Sequence, residues 1–211
     1  MGKKSLVIIG AVGNCFDIAD AARASGFEVA GFLDDNKQIH GREVYGAMAL
    51  GPISMAKQID DVSFICGIGG SGSYKEKLNI ISAMGIDEKR FATVIHPSSS
   101  ISPSAKIGPG TAILANVSVG ANVTVGSHVM VLPQTVFGHD SRIGDGSIFA
   151  ASVTVSGNVS IGTSCYMGAG ASIRDGVIIG DGALLGMGAV LLNDMPANTT
   201  YIGNPAKPIG K

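Results

Sequence analysis

Tryptophan is absent from this chain of 211 residues; aromatic side chains make up only 5% and charged ones only 15%. Charge this sparse, balanced to a net −1 and without a lysine or arginine cluster, lacks the electrostatic footprint of a nucleic-acid-binding protein. Cysteine is scarce too. Cys15, Cys66 and Cys165 are odd in number, widely spaced and never in a Cys-x-x-Cys pattern. That argues against a disulfide frame or a zinc site and predicts reduced thiols in a cytoplasmic protein. No apolar run approaches the length of a membrane span. The opening "MGKKSLVIIGAVG" has the basic tip and short apolar run of a signal peptide, but a glycine turn and an amphipathic helix follow directly, as they do after a first buried strand. Leu6 stands where N-myristoylation requires Ser or Thr.

What the chain has in quantity is glycine, 31 residues without a collagen period and alongside abundant Val and Ile, which implies many tight turns. From Ile95 to Leu191 a large apolar residue recurs at every sixth position, with no polar intrusion and no insertion. Glycine often follows it, as at Gly108, Gly120, Gly138 and Gly186. Four residues after the large position the side chain is usually small or branched, as at Val117, Val129, Ser147 and Ala171. This period fits neither a helix nor an alternating meander; it fits a hexapeptide β-solenoid. Three hexapeptides make a triangular coil of 18 residues, with the large residue inside the prism and glycine easing the corner. Each coil buries its interior only by stacking on its neighbours.

The first 95 residues read differently. "SLVIIGAVGN" is a buried strand entering a glycine turn, and "CFDIADAARASG" is a helix stopped by Gly26. "FEVAGFLDDN" is a second strand, "DVSFICGIGGSGS" another strand and glycine turn, and "YKEKLNIISAMG" a helix closed by Gly85. "FATVIHP" is the last strand. Alternating β and α elements imply a small parallel sheet with helices on its faces. The expected organisation is an α/β Rossmann-like half domain over 1–95, then a β-helix over 96–211 ending in a C-terminal tail.

Gly10, Val12, Gly13 and Asn14 lie between a strand and a helix, where free backbone N–H groups attract phosphate, and Gly69 lies in the second such turn. Asp34 and Asp35 end the next strand, where a carboxylate can bond a ribose hydroxyl or a base edge. Cys15 occupies the third glycine position of a dinucleotide fingerprint, and only half a doubly wound fold is present. A ligand the size of a nucleotide monophosphate is therefore expected rather than NAD.

The combination of "GAVGN", "FLDD", "HPSSSIS", "HD" at 139–140 and a terminal "GNPAK" resembles the sialic-acid O-acetyltransferase-type sugar acetyltransferases. The nearest relatives in that family acetylate the 4-amino group of nucleotide-linked amino-deoxy sugars in glycan biosynthesis. The resemblance covers nearly the whole chain. It implies a left-handed β-helix, acetyl-CoA as cosubstrate, a nucleotide-activated amino sugar as acceptor, and no metal. It also places the general base in the His139-Asp140 pair and gives the backbone N–H of Gly157, one coil after His139, to the acetyl carbonyl. It assigns the coenzyme to Ala169, Gly186, Met187 and Gly188. A neutral imidazole takes the proton that an attacking amine or hydroxyl must lose. A carboxylate on its other nitrogen fixes the tautomer. Residues 139 and 140 are adjacent, however, and adjacent side chains of an extended strand point to opposite sides, which leaves the role of Asp140 open. A solenoid with flat apolar faces and site residues at a corner is expected to form a homotrimer.

Three departures from the family pattern bear on the site. Val12 and Asn14 replace Ser and His, Lys75 is the candidate for a missing arginine, and Ile148 replaces a second histidine near the acetyl group. Two other classes compete. A β-helical zinc lyase needs three converging histidines, but His96, His128 and His139 fall at different places modulo 18. A non-catalytic sugar-nucleotide sensor would not need the His-Asp pair. Sialic-acid-type O-acetylation is the alternative within the family.

Overall fold

The computed structural model describes residues 4–210. β1 (Lys4–Ile9), α1 (Asn14–Ala24), β2 (Phe27–Leu33), β3 (Glu43–Val44), β4 (Ala47–Gly51), β5 (Ser63–Cys66) and α2 (Lys77–Met84) form the front half. Its sheet runs β3-β4-β2-β1-β5 and is parallel except for the β3–β4 hairpin. β1 shows why its sequence is apolar at every position from Leu6 to Ile9. Leu6 and Ile8 pack toward α1 and the solenoid, whereas Val7 and Ile9 pack toward α2, so both faces are covered.

The β3–β4 hairpin was not expected from the sequence. Its turn residues Tyr45 and Gly46 have φ of 48° and 73°, the type I′ pattern that suits strand twist. A tyrosine rarely takes this conformation. Here it is held by stacking on Phe16 at 4.7 Å, by donating to Asp20 at 2.6 Å, and by Arg23 donating to its carbonyl at 2.7 Å. "FATVIHP" also differs from expectation. Ala92 N–H bonds to Phe64 O at the edge of the front sheet, but Val94–Ile95 pairs with Ala112–Ile113 and is already the first rung of the solenoid.

From there the chain winds in coils of three two-residue strands, each pairing in parallel with the strand 18 residues on, as Val119 does with Phe137 and Phe137 with Val155. The six-residue register becomes one continuous interior from Ile113 to Leu191. Fully buried hydroxyls join it at corners. Ser141 Oγ, for example, donates to Ser156 O at 3.0 Å and accepts from Val159 N at 3.2 Å. After Leu191 the register tightens, and Met195 rather than residue 197 pairs back onto Ile179.

The three outer faces differ, and the difference decides where the front half sits. Outward positions on the second face are Ser100, Ser118, Val136, Thr154, Ser172 and Val190, and on the third Lys106, Thr124, Arg142, Ser160 and Ile178. On the remaining face they are Val94, Ala112, Met130, Ile148, Tyr166 and Leu184, with Thr200 only at the far end. This docking face packs in one cluster with Leu6, Ile8, Ile18, Ala22 and Tyr74. Full burial of side chains such as Met130 and Ile148 is worth roughly 1.5–3 kcal/mol each. Tyr74 Oη also donates to Gly182 O at 3.0 Å, and Lys75 Nζ to Asn198 Oδ1 at 3.0 Å. Lys75 thus ties the two halves together. No helix among the described residues is long and apolar enough to cross a membrane.

Candidate active site

The glycine turns form one crevice. Gly10, Val12, Gly13, Asn14, Asp34 and Gly69 line a cavity of about 480 Å³ together with Cys15 and Gly70. A second cavity of about 560 Å³, lined by Asp35, Ile53, Ser54, Ile80 and Met84, shares Asp34 and Ile68 with the first. The backbone approach is set by Cys15, whose Sγ would stand 2.7 Å from a Cβ on either Gly10 or Gly67. Burial pushes the Cys15 thiol up to about 11, so it is a packing group. Cys15 and Phe16 donate back to Val12 O and Gly13 O, leaving the N–H groups of Val12, Gly13 and Asn14 without an acceptor among the described residues. Those groups open α1, where a helix attracts an anion.

The two aspartates separate in role. Asp34 accepts from Ala11 N at 2.9 Å and from Asn36 N at 2.8 Å, so each of its oxygens holds a turn. Asp35 accepts from Ile53 N at 3.0 Å through Oδ1 only, which leaves Oδ2 for a ligand. Asn14 Nδ2 reaches Gly69 O at 3.4 Å and joins the two turns. Gly69, at φ +147°, is confined from below: a Cβ there would meet Ile148 Cδ1 at 2.3 Å. Ile148 is therefore buried in the joint between the halves, beneath the crevice wall, rather than open to an acetyl group.

His139 and Asp140 sit at the corner between the second and third faces, with exposed side chains. His139 Nδ1 and Asp140 Oδ2 are 2.8 Å apart. The contact exists because these residues form a turn rather than a strand. Asp140 has φ +59°, which swings its carboxylate back to its neighbour. Asn122, one coil earlier, donates through Nδ2 to Asp140 Oδ1 at 3.0 Å. The His139 hydrogen bond, then that of Asn122, hold the Asp140 carboxyl below its usual range. With Nδ1 engaged, Nε2 faces Gly157: a Cβ there would lie 2.6 Å from it. The 156–157 peptide is oriented from inside, since Ser141 Oγ holds its carbonyl. C=O and N–H of a trans peptide point oppositely, so the Gly157 N–H is turned outward. It has no acceptor among the described residues. An imidazole nitrogen and an unpartnered backbone N–H therefore share one corner.

Ala169, Gly186, Met187 and Gly188 gather at another corner, between the docking and second faces. Gly188 N bonds to Ala169 O at 2.8 Å, and Met187 is 79% exposed. Within one chain the structure keeps three parts apart: the crevice over the docking face, the Ala169–Met187 corner at one edge of the second face, and His139 at the other edge. His128 is 4% exposed, closed in by Phe91 and by Glu88 at 3.0 Å, which removes it from any metal shared between subunits. No three His, Cys, Asp or Glu side chains among the described residues are placed to hold a metal.

Comparison with known proteins meets this geometry in both halves. The PglD N-terminal domain family matches residues 5–82, and the GMPPB C-terminal domain family matches residues 92–181. The acetyltransferase domain of PglB from Neisseria gonorrhoeae FA1090 superposes with a TM-score of 0.87 at 29% identity, over 98% of this chain and 100% of that one. PerB from Caulobacter crescentus, in complex with CoA and GDP-perosamine, gives 0.87 at 28% identity over 98% and 97%. Over nearly its whole length the chain is thus similar to solved nucleotide-amino-sugar N-acetyltransferases, and its front half matches the PglD N-terminal domain family. WeeI from Acinetobacter baumannii AYE, at 24% identity, has the same fold with a TM-score of 0.83 over 98% and 100%. No curated protein matches the sequence. The sequence alone did not point to Ile53 and Ser54 of the crevice, because it did not reveal the hairpin before them, nor to Asn122 and Ser141, which read as repeat residues.

Proposed function

We propose that this protein transfers an acetyl group from acetyl-CoA to the 4-amino group of a nucleotide-linked amino-deoxy sugar. The observation that carries the reading is the His139 imidazole, fixed by Asp140 at 2.8 Å and laid against Gly157. The sugar amine attacks the thioester carbonyl while His139 Nε2 takes its proton. Asp140 balances the resulting imidazolium, and the Gly157 N–H donates to the oxygen that becomes negative. On collapse the C–S bond breaks, and the imidazolium returns its proton to the departing thiolate. The apolar cavity beside Asp35 suits the nucleobase, with Oδ2 accepting from its edge or from ribose, and the Val12–Asn14 turn suits the diphosphate.

The working unit is a homotrimer. The crevice and His139 lie on different faces of one prism, so a second copy has to bring its own crevice to this corner, and a closed ring satisfies every copy at once. Three buried free thiols suit a reducing cytoplasm. A panel of nucleotide-linked 4-amino sugars with acetyl-CoA, followed by release of free thiol, tests the assignment. Turnover with at least one is expected. Acetylation of 4-hydroxy sugars alone would make the enzyme an O-acetyltransferase, and no turnover on the panel would overturn the reading.

A further inference from the structure

Lys77 is the anomaly of the front half. It is the first residue of α2, yet it is fully buried, and its Nζ has no hydrogen-bond acceptor among the described residues. Its spacing explains the burial, because Lys77, Ile81 and Met84 share the inward face of the helix, a row that elsewhere is apolar. An ammonium in that row, without a carboxylate, destabilises the fold, so a structural reason for it is missing. Its surroundings supply another. The stem runs beneath the crevice wall, with Cδ 3.9 Å from where a Cβ of Gly69 would stand. The ionisable groups facing it are the Cys66 and Cys15 thiols and His128, itself beside Glu88 and Asp145. Cys15 lines the crevice directly. Among the described residues no lysine or arginine lines either cavity, whereas Asp34 lines both and Asp35 the second, so a diphosphate at the Val12–Asn14 turn meets a carboxylate and no surface cation.

We propose that Lys77 is the counter-charge for the nucleotide diphosphate, a cation held under Gly69 that gains its partner only when the crevice is occupied. The inference rests on the proposed nucleotide-sugar reading. It explains how an anion is held without a surface cation that would also attract solvent ions. Desolvation lowers the Lys77 ammonium to about 8. An anion nearby raises that value again, so the ligand binds the protonated form better. Affinity is then full below pH 8 and falls, by up to tenfold per pH unit, as the free protein loses the proton.

The test is calorimetric titration of the intact protein with UDP-glucose and GDP-mannose, whose diphosphodiesters do not titrate in this range, between pH 6.5 and 9. The wild type is expected to bind at least one of them, about tenfold more weakly at the alkaline end. Lys77→Met is expected to bind about tenfold more weakly at pH 7 and to lose the pH trend. Its Tm should be equal or higher, because an apolar isostere replaces an unpaired buried charge. If the methionine variant does not fold, Lys77→Gln carries the same comparison. Unchanged affinity and pH trend in the variant would overturn the role of Lys77 and leave the enzyme assignment standing. A lower Tm with unchanged affinity would mark a structural lysine and overturn it as well. A wild type that binds neither probe and turns over no amino sugar would overturn both the role and the reading beneath it.

Discussion

Gly157→Ala adds a single methyl group and tests the geometry of the His139 corner directly. The new Cβ would stand 2.6 Å from His139 Nε2 and 2.7 Å from Cε1. Ordinary contacts begin near 3.5 Å, so the ring has to retreat by about 1 Å. It cannot do so freely, because Nδ1 is tied to Asp140 at 2.8 Å and Asp140 is tied in turn to Asn122 at 3.0 Å. A displacement of that size at a reacting group lowers turnover about 100-fold, close to 2.7 kcal/mol of activation free energy. The fold should not suffer, since Gly157 does not occupy a positive-φ position and a glycine-to-alanine change there restricts the unfolded chain. The expected result is a kcat about 100-fold down by thiol release, an unchanged or slightly raised Tm, and unchanged KM for acetyl-CoA. His139→Ala should be impaired at least as much, and the double variant no further, because both changes act through one proton transfer. Gly72→Ala, whose Cβ meets nothing within 4 Å, should be silent. A Gly157→Ala enzyme that folds and turns over like the wild type would refute the placement of the base against this glycine.

The support for Asp140 is separately testable. Asn122→Ala removes a hydrogen bond that favours the ionised carboxylate, so the Asp140 carboxyl should titrate at higher pH, nearer its ordinary range, as read by carboxyl ¹³C NMR. An unmoved titration would show that the bond at 3.0 Å carries no weight. Asp35→Ala should raise KM for the nucleotide sugar about tenfold while leaving that for acetyl-CoA in place, and parallel changes in both would detach Asp35 from the acceptor. Sedimentation at assay concentration should give a trimer; an active monomer would remove the need for a second copy at the His139 corner.

The solenoid was legible in the sequence because its period is rigid: every sixth residue from Ile95 to Leu191 had one place to go. β1, β2 and β5 were legible as apolar runs closed by turns. What failed depended on conformations that sequence pattern does not carry. Tyr45 at φ 48° hides a hairpin turn, and "FATVIHP" straddles two sheets, so it could not be given to either half from its own residues. The His139-Asp140 pair was visible, but its contact was not, since an extended chain would have separated the side chains and only the φ of +59° at Asp140 joins them. Whether Lys75 replaces the family's arginine was open in the sequence; the structure makes it a strap to Asn198, two residues from the lysine that sits under the crevice.

The unbroken coil length makes the solenoid a ruler. Successive rungs lie about 4.8 Å apart, and no insertion between Ile95 and Leu191 offers any other increment. The height difference between the Gly157 corner and the Met187 corner is therefore quantised along the prism axis. An extra residue between them would rotate every later large side chain out of the interior, whereas a whole extra coil would leave the packing intact and lengthen that gap by one rung. Any ligand that spans the Met187 and His139 corners therefore meets a distance locked to whole coils, which an inserted residue cannot fine-tune.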